Sequence, residues 1–218
     1  GNTNMLSDYA AIKNGSYGKL MKAYYAKQDA EKLSGKGDTS QKLTLMKTSA
    51  DSLKKSADAL NDSSLWEKKK IKKKDEKTGE EIEVEDYDWD KITKAVKSFV
   101  EDYNDVVKEA GESNTKDVLR NASWMTGMTD KNSNMLAKIG ITIGKGNKLE
   151  LDEDALKQAD ISSLKTVFTG YNSFVSKISQ KATGISNAAN RASATYTNNG
   201  TYSKTASSLT SSKIDKEV

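Results

Sequence analysis

A mainly α-helical fold, an antiparallel helical bundle or coiled coil carrying two small β-hairpins, is what three observations predict. Proline is absent from all 218 residues, so no helix is broken by a pyrrolidine ring. Three stretches repeat apolar residues at alternating intervals of three and four, the seam of a heptad helix. Two other stretches replace that rhythm with alternation around a turn, the period of a strand.

Taken in order, Asn14-Gly15-Ser16 is turn-like, and Tyr17, Leu20, Met21 and Tyr24 follow at helical spacing, predicting a helix over about 17 to 33. Gly35-Lys36-Gly37-Asp38 ends it, and Thr39 or Ser40 supplies the next N-cap. Leu43, Met46, Ala50, Leu53, Ala57 and Leu60 make the first seam, on a helix near 41 to 62. The acidic start at Asp88 and Asp90 suits a helix N-terminus, and Ile92, Val96, Phe99, Tyr103, Val106 and Ala110 make the second seam, near 90 to 111. Ile178, Ala182, Ile185, Ala189, Ala192 and Tyr196 make the third, near 170 to 196. A stripe of about two apolar residues in seven cannot hold a helix alone, so the three are expected to pack together.

Between the first two seams, six lysines surround Ile71 over 68 to 74, and after Lys77-Thr78-Gly79 the chain answers with Glu80, Glu81, Ile82, Glu83, Val84 and Glu85. Folded back, lysines face glutamates while Ile71, Ile82 and Val84 share the other face. A second hairpin runs from Ile139-Gly140-Ile141-Thr142-Ile143 through Gly144-Lys145-Gly146-Asn147 to Leu149-Glu150-Leu151. Residues 115 to 137 read as a polar helix or helix pair interrupted near Gly127, and Asp152-Glu153-Asp154 as the acidic first turn of a short helix. The chain therefore divides into N-terminal helices over 1–65, a Lys/Glu hairpin insertion over 66–88, and a bundle over 89–196 with its own hairpin near 139–151, packed with the N-terminal helices as one domain. A Ser/Thr-rich tail over 197–218 is expected to be loosely held.

Composition narrows the chemistry. Cys and His are both zero, which removes disulfides, thiol nucleophiles, Cys-ligated zinc and imidazole acid–base catalysis. Carboxylates, Lys, Ser and Tyr remain, and none of them falls into a catalytic, metal-binding or cofactor-binding pattern. Ser-x-x-Lys recurs at Ser16, Ser52, Ser113 and Ser162, as often as chance gives in a chain so rich in both residues. Gly144 to Lys148 lacks the spacing of a phosphate-binding loop and reads as a hairpin turn. Asp152 to Asp154 lacks the spacing of a calcium loop. The acceptor patterns at Asn14, Asn61, Asn121 and Asn199 read as accidents of an Asn- and Ser-rich chain.

Basic and acidic residues number 35 and 31, a net charge of +4, and only Arg120 and Arg191 are arginines. The planar fork that reads phosphates and guanine edges is nearly missing, which disfavours specific nucleic-acid binding. The lysine run reads as one side of a self-neutralising ladder. No apolar run reaches the roughly 18 residues of a membrane span, and no cleavable secretory signal is apparent. The leading Gly1, without an initiator Met, reads as a scar of tag removal.

Three stretches in the second half, in order, resemble a known family. Val96-Lys97-Ser98-Phe99-Val100-Glu101-Asp102-Tyr103-Asn104 is similar to a Phe-Val-x-x-Tyr-Asn helix. Leu136-Ala137-Lys138-Ile139-Gly140-Ile141, then Lys148-Leu149-Glu150-Leu151-Asp152-Glu153 with Leu156, is similar to Leu-x-x-Ile-Gly-Ile, a turn, and Leu-x-Leu-Asp leading to a leucine. Val167-Phe168 then precedes the last heptad helix. Together they resemble the C-terminal region of flagellar hook-associated protein 2, the filament cap protein, over roughly residues 92 to 203. In that family large β-rich domains separate the two helical parts, whereas here only a hairpin does, which points to a reduced paralogue.

The resemblance implies a non-enzymatic structural role, with the chain itself or flagellar axial proteins as partners, and export to the flagellum without a cleaved signal. The seam expected to carry assembly is Leu43, Leu53, Leu60, Ile92, Phe99, Tyr103, Ile178, Ile185, Ala189 and Tyr196. On this reading Ile185→Asp weakens association. The alternative is a secreted or surface module that recognises a peptide or glycan through Tyr24-Tyr25, Trp66, Trp89 and Trp124.

Overall fold

The computed structural model describes residues 37–214, with side chains to residue 195. The expected helix over 17–33 and the Tyr24-Tyr25 pair lie outside the described residues. Helix α1 (Ser40–Leu60) begins where Thr39, in extended backbone, accepts a hydrogen bond from the Lys42 N–H at 3.2 Å. All six seam residues of α1 are buried. Past its end, the turn Ser63–Trp66 brings the Trp66 indole back, and Nε1 donates to the Leu60 carbonyl at 2.7 Å, satisfying one of the acceptors a helix end leaves open. Strands β1 (Lys69–Lys74) and β2 (Glu81–Asp86) follow, and then α2 (Trp89–Gly111), capped by Asp88 with Asp90 in its first turn.

Helix α3 (Lys116–Lys131) and short α4 (Ser133–Ala137) lead to strands β3 (Ile141–Ile143) and β4 (Leu149–Leu151). Helices α5 (Glu153–Gln158) and α6 (Ile161–Phe168) connect these to α7 (Phe174–Ile214). The fold is thus mainly α with two antiparallel hairpins.

The long helices close a ring of four, not the three that the seams identified. Helix α1 packs on α2 and α7, α7 packs also on α3, and α3 meets α2. Ser186 donates to Asp51 at 2.6 Å and Ser179 to Asp58 at 2.7 Å, so positions rise on α1 as they fall on α7 and the two are antiparallel. Asp38, just before α1, is bonded to Ser113, Asn114 and Thr115 at the far end of α2, which makes that pair antiparallel too. Directions alternate around the ring as in an up-down bundle.

Residues 115 to 137 form the helix pair that is one of the two expected arrangements, but the interruption falls at Asn132 and not near Gly127, and the first of the pair, α3, is the fourth helix of the ring. It runs through Gly127 without a break, and Val118, Leu119, Ala122 and Met125 are buried together with Ser123, Thr126 and Thr129. Burial of the two threonines is tolerable because each hydroxyl donates to a carbonyl four residues back, Thr126 to Ala122 and Thr129 to Met125. Thr129 also accepts from the Tyr103 hydroxyl at 2.8 Å, and full burial pushes the Tyr103 phenol well above its ordinary range.

Phe99 sits at the centre of the core, 6.2 to 6.4 Å from the rings of Tyr103, Phe168 and Phe174, and Phe168 in turn stacks on Trp66 at 5.6 Å. These rings join α2, α6, α7 and the turn after α1 into one core. In the second hairpin Ile141 pairs with Leu151 and Ile143 with Leu149. It docks on α2 through the Asn104 amide, which accepts from Leu149 N–H at 2.7 Å and donates to its carbonyl at 3.0 Å, in place of a third strand. Gly140 is required there. Its φ is +89°, and a Cβ would lie 2.7 Å from the Asp152 carbonyl oxygen.

In the first hairpin Ile71 opposes Val84 and Lys73 opposes Ile82, so Ile71, Ile82 and Val84 share one face, while Lys70, Lys72 and Lys74 oppose Glu85, Glu83 and Glu81 on the other. Its turn is longer than a Thr-Gly dipeptide. Gly79 takes φ +72°, its N–H bonds the Asp75 carbonyl, and the Asp75 carboxylate accepts from the Lys77 and Thr78 N–H groups. Helix α7 continues through the Ser/Thr-rich segment after residue 196 to Ile214. Once the bundle fixes the start of a helix, adding a residue is easy, and without proline nothing in the segment stops it.

Candidate assembly surface

Leu43, Leu53 and Leu60 of α1, Ile92, Phe99 and Tyr103 of α2, and Ile178, Ile185 and Ala189 of α7 are all buried within this one chain. Ala192 is half-buried, and the Tyr196 side chain lies outside the described ones. The seams are therefore satisfied by each other, and a charge at Ile185 would strike the core rather than an interface between copies.

A polar strip borders the α1–α7 seam. Lys47 pairs with Asp51 at 2.7 Å and Lys54 with Asp58 one heptad on, while the same carboxylates accept from Ser186 and Ser179, also one heptad apart. Desolvation works against ionisation of Asp51 and Asp58. The bonds from lysine and serine outweigh it and hold both carboxyls below the ordinary value. Because the contacts repeat every seven residues, a slip of one turn would break both, so the strip fixes the register of α7 on α1.

The tryptophans do not converge. Trp66 is inside the core, and Trp124 lies half-exposed on α3 beneath the Lys181 ammonium, 4.5 Å from its ring centroid. Trp89 meets Tyr87 edge to face at 6.2 Å beside an open cavity of about 310 Å³, lined by Ile71, Lys72, Lys73, Asp88 and Asp90 as well as the two rings. Its charges are of both signs. Among the described residues, Leu45, Ile82, Trp124 and Tyr171 are the large apolar residues left exposed, and they belong to four different elements or loops. Among the described residues, no helix is long and apolar enough to cross a membrane, and no three acidic side chains gather as for a metal ion.

What remains as surface is charge and helix. The Lys/Glu hairpin projects two free strand edges, and α7 is far longer than the helices that hold it. The register set by Asp51 and Ser186 puts Ser40, the first residue of α1, level with residue 197 of α7, so α7 continues beyond the start of α1.

Fold and surface define a helical-bundle protein with projecting helical and strand elements, the build of a structural component. Residues 113–217, from the loop before α3 to the end of α7 and beyond, match the family model described as flagellar hook-associated protein 2 C-terminus. Over those residues the chain is similar to the C-terminal region of that family. No curated protein and no solved structure matches the chain.

Proposed function

We propose that the chain is a structural part of a flagellar assembly of the filament-cap kind, working outside the cell. In this reading it acts by laying the distal part of α7 against a helix of an axial protein of the flagellum. The observation that carries it is that the matched region spans all of α7, including the stretch past α1. About 17 residues, roughly 26 Å of helix at 1.5 Å per residue, lie beyond that level. Within them Tyr202, Ala206 and Leu209 recur at intervals of four and three, which suits a helical partner.

Co-sedimentation of the full chain with isolated hooks or filaments tests this reading. The unaltered chain is expected to pellet with them, and Tyr202→Asp combined with Leu209→Asp to weaken binding at least about tenfold with an unchanged thermal midpoint. Failure of the unaltered chain to pellet, or equal binding by the double variant, overturns it.

A further inference from the structure

The first sheet has two strands and therefore two free edges. Asp75 N–H donates to the Glu80 carbonyl at 2.8 Å, and the register continues through Lys73–Ile82, Ile71–Val84 and Lys69–Asp86. In an antiparallel ladder the hydrogen-bonded pairs alternate with pairs whose backbone groups point away from the partner strand. The outward-facing positions are then Lys70, Lys72 and Lys74 on β1 and Glu81, Glu83 and Glu85 on β2. The same six side chains share one face of the ribbon, since each of these lysines stands opposite one of these glutamates. All six are exposed, and among the described residues the hairpin's ion pair is formed by others, Lys73 with Asp86 at 3.1 Å.

One edge thus offers three backbone positions that are all basic, and the other three that are all acidic. A symmetric contact, β1 on β1 or β2 on β2, sets like charges side by side and is disfavoured. Neutral or basic strands are likewise turned away by the lysine edge, the ordinary protection of a free strand. An acidic strand of matching spacing is admitted, and this chain carries one.

We propose that the hairpin is a head-to-tail contact between copies of this chain, the basic β1 edge of one pairing with the acidic β2 edge of the next. Repeating the register within the chain places Lys70, Lys72 and Lys74 beside Glu85, Glu83 and Glu81 of the next copy, so that each lysine has a glutamate on both sides. Each copy uses both edges, so the contact builds a ring or a row instead of a closed pair. It goes beyond the helical pairing proposed for α7 and is independent of it.

Sedimentation equilibrium of the full chain over a concentration series, in 50 and 500 mM NaCl, is the test. The expected result is self-association that weakens at least about tenfold at the higher salt. The triple variant Lys70→Glu, Lys72→Glu, Lys74→Glu and the triple variant Glu81→Lys, Glu83→Lys, Glu85→Lys are each expected to stay monomeric, and to associate when mixed. The six-fold exchange keeps opposite charges across the hairpin within each chain, so it folds even where a triple variant frays, and it is expected to restore association. A monomeric unaltered chain, triple variants that associate undiminished, or a six-fold exchange that stays monomeric overturns the proposal. Tyr202→Asp with Leu209→Asp leaves this association intact, which separates its failure from failure of the α7 reading.

Discussion

Asp38 shows how one side chain can join two ends of a bundle. It precedes α1 by two residues, yet its carboxylate accepts from the Ser113 hydroxyl at 2.7 Å, the Asn114 N–H at 2.7 Å and the Thr115 hydroxyl, at the turn from α2 into α3. Ser113 is fully buried, so removing its acceptor strands a donor. Asp38→Ala is expected to cost about 2 kcal/mol in urea denaturation, and Asp38→Asn less, because one amide oxygen still accepts. Asp51 and Asp58 give the chain an acid limb. Their carboxyls titrate below the ordinary 3.8 when folded, so their contribution is complete above that value and is lost as pH falls through the lower folded values. Thermal midpoints are expected to drop below about pH 4, and to drop less steeply in Ser179→Ala with Ser186→Ala. Asp102 acts in the opposite sense. Burial, aided by the nearby Asp105 and Glu101, raises its carboxyl against the pull of Ser56, so its cost grows as pH climbs past 3.8, and Asp102→Asn is expected to raise the midpoint at neutral pH.

At the level of elements, α6, which no heptad seam marks, delivers Phe168 between Trp66 and Phe99. Phe168→Ala is expected to destabilise by about 3–5 kcal/mol, since the ring is fully buried and the aromatic neighbours on both sides cannot collapse into the gap. A chevron plot or urea titration reads it directly. The seams on α1, α2 and α7 were legible because aliphatic and aromatic residues at heptad spacing have no other stable place than a shared interior. Helix α3 was not, because Ser123, Thr126 and Thr129 are residue types that ordinarily face water, and the burial of Thr126 and Thr129 rests on hydroxyl bonds to carbonyls of their own helix. The period-two alternation marked both hairpins, while the register of the first depended on Asp75 and Gly79 in a turn that no dipeptide announces.

For the whole molecule, the matched region covers α3 to α7, whereas α1 and α2 lie before it. Yet α1 is the main partner of α7, so the unmatched part packs along the matched part. Ile185→Asp is accordingly expected to lower helix content and the thermal midpoint together, as read by far-ultraviolet circular dichroism, instead of dissociating copies of a folded chain.

The amino-acid sequence by itself determined that the chain would be helical, which faces of three helices would be hidden, where two hairpins would interrupt them, and the family its second half resembles. Those are local matters, settled by residue type and spacing within a few turns of chain. Only the tertiary structure decided that the hidden faces meet inside one molecule, that a fourth helix completes the ring, and that the strand edges and the far part of α7 are left over. Whether an apolar stripe is covered by its own chain or by a neighbour depends on which distant segments arrive beside it, and heptad spacing is the same in both cases.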